Sequence, residues 1–145
     1  MVQASPLLAP LVALVAWTLV VLFILGFVRF RGVKQARLKV DPSRGGRGQD
    51  LDGVLEPRFN WPAHNYTHLM EQPTLFYVIV LALVLMGFDH RINVILAWVY
   101  VALRVAHSLV QMFFNDIRIR FPLFLLSTLA LVSLTVHAAL RLSHS

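Results

Sequence analysis

Four long apolar stretches dominate the chain, at residues 6 to 28, about 69 to 87, about 92 to 114 and about 119 to 140. A hydrocarbon core about 30 Å thick needs roughly 20 mostly apolar residues per helix. Each stretch is therefore long enough to cross a bilayer, and together they use up the length of the chain. The pattern predicts an all-α membrane protein: one four-transmembrane-helix bundle over residues 1–145, with a polar connection at about 29–60.

The first stretch is N-terminal and apolar, as a secretory signal would be. It has no basic residue before it, is too long for a signal core, and leads into Phe27-Val28-Arg29-Phe30-Arg31-Gly32 rather than a small-residue cleavage site. It is expected to be a retained span. Composition agrees with lipid as the solvent: 58% of residues are hydrophobic and 14% charged, and the mean hydropathy is +0.71. There is no cysteine, so the chain has neither disulfides nor a thiol nucleophile of its own, and any thiol chemistry needs a ligand.

The net charge of +6 is unevenly spread. Arg29, Arg31, Lys34, Arg37, Lys39, Arg44, Arg47 and Arg58 lie between the first two spans, and Arg118 and Arg120 between the last two. The other side carries only Arg91 and Arg141. The positive-inside rule then places both basic connections in the cytoplasm and both termini on the opposite side of what is expected to be a bacterial inner membrane. Nucleic acid is not an expected partner, because these cations flank membrane spans without interleaved aromatics. The first connection holds Asp41-Pro42 and Gly45, Gly46 and Gly48, a turn-rich composition suited to a solvated connector or to a lid at the membrane face.

Polar residues inside the spans carry the candidate chemistry. A second helix starting near Asn60 places His64, His68, Glu71 and Leu75 on one face, and Pro73 frees the Leu69 carbonyl for another donor. In the third span Tyr100, Arg104, His107, Gln111, Phe114 and Arg118 recur at helical spacing. Ionisable groups in hydrocarbon cost roughly 2.5–3.5 kcal/mol and are usually turned inward and paired. Antiparallel helices put Glu71 level with His107 and near Arg104, so a Glu71–Arg104 ion pair is expected. A zinc set of His64, His68 and Glu71 is chemically acceptable but matches no standard zinc signature, and the nearby arginine opposes a cation; no metal is expected.

The segments "NYTHLMEQPTLFYVIVLALVL" and "AWVYVALRVAHSLVQMFFNDIRIRFPLF" resemble the MAPEG family, membrane-associated proteins in eicosanoid and glutathione metabolism, and its bacterial members in particular. The most specific portions are Glu71-Gln72-Pro73-Thr74-Leu75-Phe76 and Arg104-Val105-Ala106-His107-Ser108-Leu109. The resemblance implies a homotrimer that binds glutathione near the cytoplasmic face and acts as a transferase or peroxidase on lipophilic small molecules. It implies that Glu71 contacts the glutathione amine, that Arg118 stabilises the thiolate as the catalytic cation, and that Arg29 or Arg31 is the basic residue at the end of the first helix. Arg104 matches an arginine of the third helix.

Four positions differ from the pattern the resemblance implies. His64 stands where an arginine is expected, His68 where an asparagine is, and His107 and Gln111 where tyrosines are. All four remain candidate ligand-binding positions. The other reading of the same residues is a non-catalytic relative whose polar seam stabilises the oligomer or binds another small amphiphile.

Overall fold

Helix ends are set by local chemistry that the apolar runs leave open. The computed structural model describes residues 4–39, 41, 43 and 45–144; Pro42 and Arg44 lie outside them. Its helices are α1 (Leu8–Gln35), α2 (Pro57–Leu85), α3 (Arg91–Phe113) and α4 (Ile117–Ser143). All four are long and apolar enough to cross a membrane. α2 starts at Pro57, three residues before Asn60, with proline in the first turn, where a missing N–H costs nothing. At 1.5 Å per residue its 29 residues span about 43 Å.

The turns are tight. α2 ends with Gly87 in the left-handed conformation, φ +59°, its N–H donating to the Val84 carbonyl, a termination that suits a residue without Cβ. Between α3 and α4, Asn115 adopts φ +52°, and Asp116 caps α4 by accepting a hydrogen bond from the Arg118 N–H at 2.9 Å. That break ends the third-span periodicity at Phe113. Arg118 therefore belongs to the first turn of α4, and the expected seam from Tyr100 to Arg118 stops short of it.

Chain order gives an up-down bundle. α3 packs most extensively against α4 and α1 against α2. The core joins Leu14 and Val21 of α1, Leu69, Phe76 and Val80 of α2, Ala97 and Tyr100 of α3, and Leu134 of α4. Outward positions are apolar too: Phe23, Leu75, Val78 and Leu85 are all more than 60% exposed, the surface a bilayer solvates.

The first connection is pinned down along its second half. Residues Gly48–Leu51 form a 3-10 turn. The Arg29 guanidinium of α1 donates to the Gly48 carbonyl at 2.6 Å, the Asn60 amide donates to the Leu51 carbonyl at 3.2 Å, and His64 lies 3.2 Å from the Asp52 carboxylate. Leu55 is buried. Nearby, α1 and α2 approach closely at Gly32, where a Cβ would lie 2.8 Å from the Phe59 Cγ and 3.0 Å from its Cβ. Because Phe59 Cβ cannot swing away, Gly32→Ala must push the helices apart. It is expected to cost about 1–3 kcal/mol, read as a lower thermal midpoint in detergent; an unchanged midpoint would contradict this packing.

Candidate functional site

α3 turns its polar seam inward, as its spacing predicts. Tyr100, Arg104, His107 and Gln111 are all buried. α2 does not meet it with the expected stripe. His64 and Glu71 are exposed and His68 is half-buried, while the buried face of α2 is Asn65, Leu69, Pro73, Phe76, Val80 and Leu83. The helix is rotated by about one residue from the orientation that would aim Glu71 at Arg104.

The Glu71–Arg104 ion pair is consequently not formed. Among the described residues the side-chain ion pairs are Arg58–Glu56 and His64–Asp52. Arg104, fully buried, donates instead through Nη2 to the His68 carbonyl at 2.9 Å and lies 3.2 Å from His68 Nδ1. The accepting carbonyl is one residue before that of Leu69, which Pro73 leaves without a helical donor. Since a guanidinium only donates, the contact to Nδ1 is a hydrogen bond when that nitrogen is the unprotonated one. Nε and Nη1 of Arg104 are buried without a partner among the described residues, leaving two strong donors unmatched.

Around this guanidinium lies an aromatic and imidazole cluster. The His68 and His107 rings are 5.1 Å apart. The Phe124 ring of α4 stands edge-on to His68 at 5.6 Å and lies 5.9 Å from the Arg104 guanidinium carbon, within cation–π range. A cavity of about 150 Å³ opens beside them, lined by His68, His107, Ile117, Arg120, Phe121 and Phe124. Arg120 also donates to the Asn115 side-chain oxygen, so the residue that makes the α3–α4 turn helps hold the arginine at the cavity.

Two further polar nodes brace the site. Ser108 Oγ accepts from Asn65 Nδ2 at 2.6 Å and from Trp17 Nε1 at 3.0 Å, joining α1, α2 and α3. Gln72 donates to Thr128 Oγ1 at 2.9 Å and accepts from the Tyr100 hydroxyl at 3.3 Å, joining α2, α3 and α4. Tyr100 in turn stacks on Phe76 at 4.2 Å. Such hydrogen bonds between helices fix register where lipid offers no alternative partner, although the Asn65 side-chain oxygen is buried without a partner among the described residues.

The candidate residues are thus divided among several places. His68, Arg104 and His107 come together. Gln111 is buried, with its side-chain oxygen unmatched among the described residues. Arg29 and His64 engage the first connection and line a groove with Tyr66 and Thr67. Arg31 lies on a different groove with Phe59 and Met112 and sits 5.4 Å from the Phe27 ring. Glu71 and Arg118 are on the outer surface of the single chain. Among the described residues no group of three or more His, Asp or Glu is arranged to hold a metal.

Arg120, Phe124, Asn65 and Ser108 were not singled out by their spacing. For Arg120 a signal existed: Asn115-Asp116 is a turn and N-cap pair, and restarting the helical count there separates Arg118 from the third-span face.

A family model, the MAPEG family, matches residues 7–140, which includes all of this site and nearly all of the four helices. The chain belongs to the MAPEG family. No curated protein and no solved structure gives a significant match. Membership of the MAPEG family agrees with the four-helix membrane bundle.

Proposed function

We propose that this MAPEG member is a homotrimeric glutathione-dependent transferase or peroxidase acting on lipophilic electrophiles at the cytoplasmic membrane face, with both termini on the other side. The observation that carries the reading is the cationic cavity at the α3–α4 turn, which combines Arg120 with the His68 and His107 imidazoles beside the incompletely bonded Arg104. A thiol of ordinary pKa near 8.5 is a good nucleophile at neutral pH only where a nearby cation favours the thiolate. In the transferase reaction the thiolate forms a carbon–sulfur bond and the electrophile's leaving group departs with the electron pair. In the peroxidase reaction the thiolate attacks one peroxide oxygen, the O–O bond breaks to give an alcohol, and a second glutathione completes a disulfide with loss of water.

Size argues that one chain is not the whole site. About 150 Å³ is below the roughly 300–1,000 Å³ typical of small-molecule pockets, so it accepts the thiol end and not an entire tripeptide. The rest of the ligand would lie along the outer face of α2, where Glu71 is available for the amine. Glu71 is also the middle residue of α2 (Pro57–Leu85), and an ionisable group left against hydrocarbon at that depth costs roughly 2.5–3.5 kcal/mol. A neighbouring subunit removes that exposure. Glu71→Gln is expected to weaken glutathione binding by about ten-fold, the scale of one charge-assisted hydrogen bond, as read by calorimetry. An unchanged affinity would remove Glu71 from the site.

The same geometry favours a second reading, a non-catalytic bundle in which Arg104 is a strut between α3 and α2, because both of its Nη2 contacts are to His68. Titrating the purified oligomer with glutathione while following thiolate absorbance separates the two. The enzyme reading requires saturable thiolate formation; no binding at millimolar glutathione would overturn it.

A further inference from the structure

At the opposite end of the bundle, where the α2–α3 turn meets the end of α4, lies a second cavity of about 370 Å³. Phe88, Ile92 and Leu140 supply apolar walls, and His90, His137 and Arg141 supply polar ones. We propose that this cavity is a binding site for an anionic phospholipid, which would place its phosphate against Arg141 and the imidazoles and its acyl chains along the apolar wall.

Arg141 is exposed and has no ion-pair partner among the described residues. Its guanidinium carbon sits 5.6 Å from the centroid of the Phe88 ring, a contact that positions the charge without neutralising it. A guanidinium held in this way suits an oxyanion. His137 is oriented as well. The Asn93 amide nitrogen donates to the Phe88 carbonyl at 3.0 Å, which leaves the amide oxygen to accept from His137 Nδ1 at 2.7 Å. Nδ1 therefore carries the hydrogen and Nε2 faces the ligand, donating to a phosphate oxygen in the imidazolium form, so that Arg141 supplies the standing charge and His137 a proton-dependent one. Asn93 is fully buried, so the turn, the helix start and the imidazole form one preorganised unit.

Charge and position favour a lipid over a water-soluble occupant. Between Leu85 and Asn93 and from His137 to His144 the only acidic residue is Asp89, against Arg91, Arg141 and three histidines. The cavity opens where helices α3 and α4 leave the hydrocarbon, and exposed Ile95 and Val136 continue the apolar surface along the same two helices. A headgroup phosphate at this level with chains running down the bundle meets both the cations and the apolar wall; a free phosphate meets only the first.

The test is native mass spectrometry of the intact oligomer in detergent, offered equal amounts of phosphatidylglycerol and phosphatidylcholine with matched acyl chains. The expected result is roughly ten-fold preferential retention of phosphatidylglycerol, with Arg141→Gln removing that preference and Lys34→Gln, at the other end of the bundle, preserving it; ten-fold is the scale of one charge-assisted hydrogen bond. Circular dichroism of Arg141→Gln should match the parent, since the side chain is exposed. Equal retention of the two lipids, equal losses in the two variants, or complete displacement of phosphatidylglycerol by millimolar inorganic phosphate would each overturn the proposal.

Discussion

Arg104→Ala is expected to lower the thermal midpoint of the detergent-solubilised protein more than any other single change in the polar seam, at a cost of about 3 kcal/mol. Two losses combine. The largest fully buried side chain of the bundle is removed, leaving a cavity, and the His68 carbonyl loses its donor at 2.9 Å. Arg104→Met separates them, because methionine restores most of the volume while supplying no donor. Both variants remove the two unmatched nitrogens, so that relief is common to them and the difference between them reports the packed volume. The methionine variant should therefore recover at least half of the lost midpoint. Equal destabilisation by Ala and Met would mean that bonding to α2, and not packing, is what Arg104 contributes.

For the chemistry, the largest effect is expected at the α3–α4 turn. Under the proposed glutathione chemistry, two arginines there compete for the role of thiolate-stabilising cation. Family resemblance favours Arg118, whose side chain lies on the outer surface of the single chain; the cavity favours Arg120, which lines it beside His68 and His107. Arg120→Ala is expected to reduce turnover with a lipophilic electrophile by about 10²–10³, the usual consequence of removing one preorganised charge partner, and to abolish the thiolate absorbance of bound glutathione. Arg118→Ala should have the smaller effect on both. If the order is reversed, the thiol binds on the outer face of α4 against a neighbouring subunit, and the imidazole cavity is not where it reacts. Arg120→Lys is a useful third variant: it keeps the charge but not the fork that reaches both the cavity and Asn115, so partial activity would separate charge from placement.

Legibility in the sequence varied with what each helix carries. α3 could be read closely: Tyr100, Arg104, His107 and Gln111 mark one face, and all four are buried. α2 faces inward one residue away from the expected stripe because it presents two polar stripes. His64, His68 and Glu71 form the more heavily charged one, which its charge alone predicts to face inward, whereas Asn65, with Leu69 and Phe76 behind it, is the face that packs. Asn65 is neutral and small, so it can be buried against Ser108 with one hydrogen bond, while a carboxylate at that place would need a full charge partner. Arg118 leaves the third-span face for a different reason: the helical period does not continue through Asn115 and Asp116, where the backbone reverses and α4 begins.

By itself the sequence determined the solvent, the number of membrane helices, the all-α class and the family, since these depend on apolar run length and on motifs local in the chain. Which face of each helix turns inward was decided only by the tertiary structure. In a soluble protein that face is apolar and the other is not; in a bilayer both are apolar, as the exposed Phe23, Leu75 and Val78 show, and hydrophobic periodicity loses its direction. The choice then falls to a few polar contacts between distant residues: Ser108 with Asn65 and Trp17, Gln72 with Tyr100 and Thr128, and Arg104 with His68. Those contacts go with the rotation of α2 that turns Glu71 outward and leaves His68 beside Arg104 and the cavity that Arg120 lines.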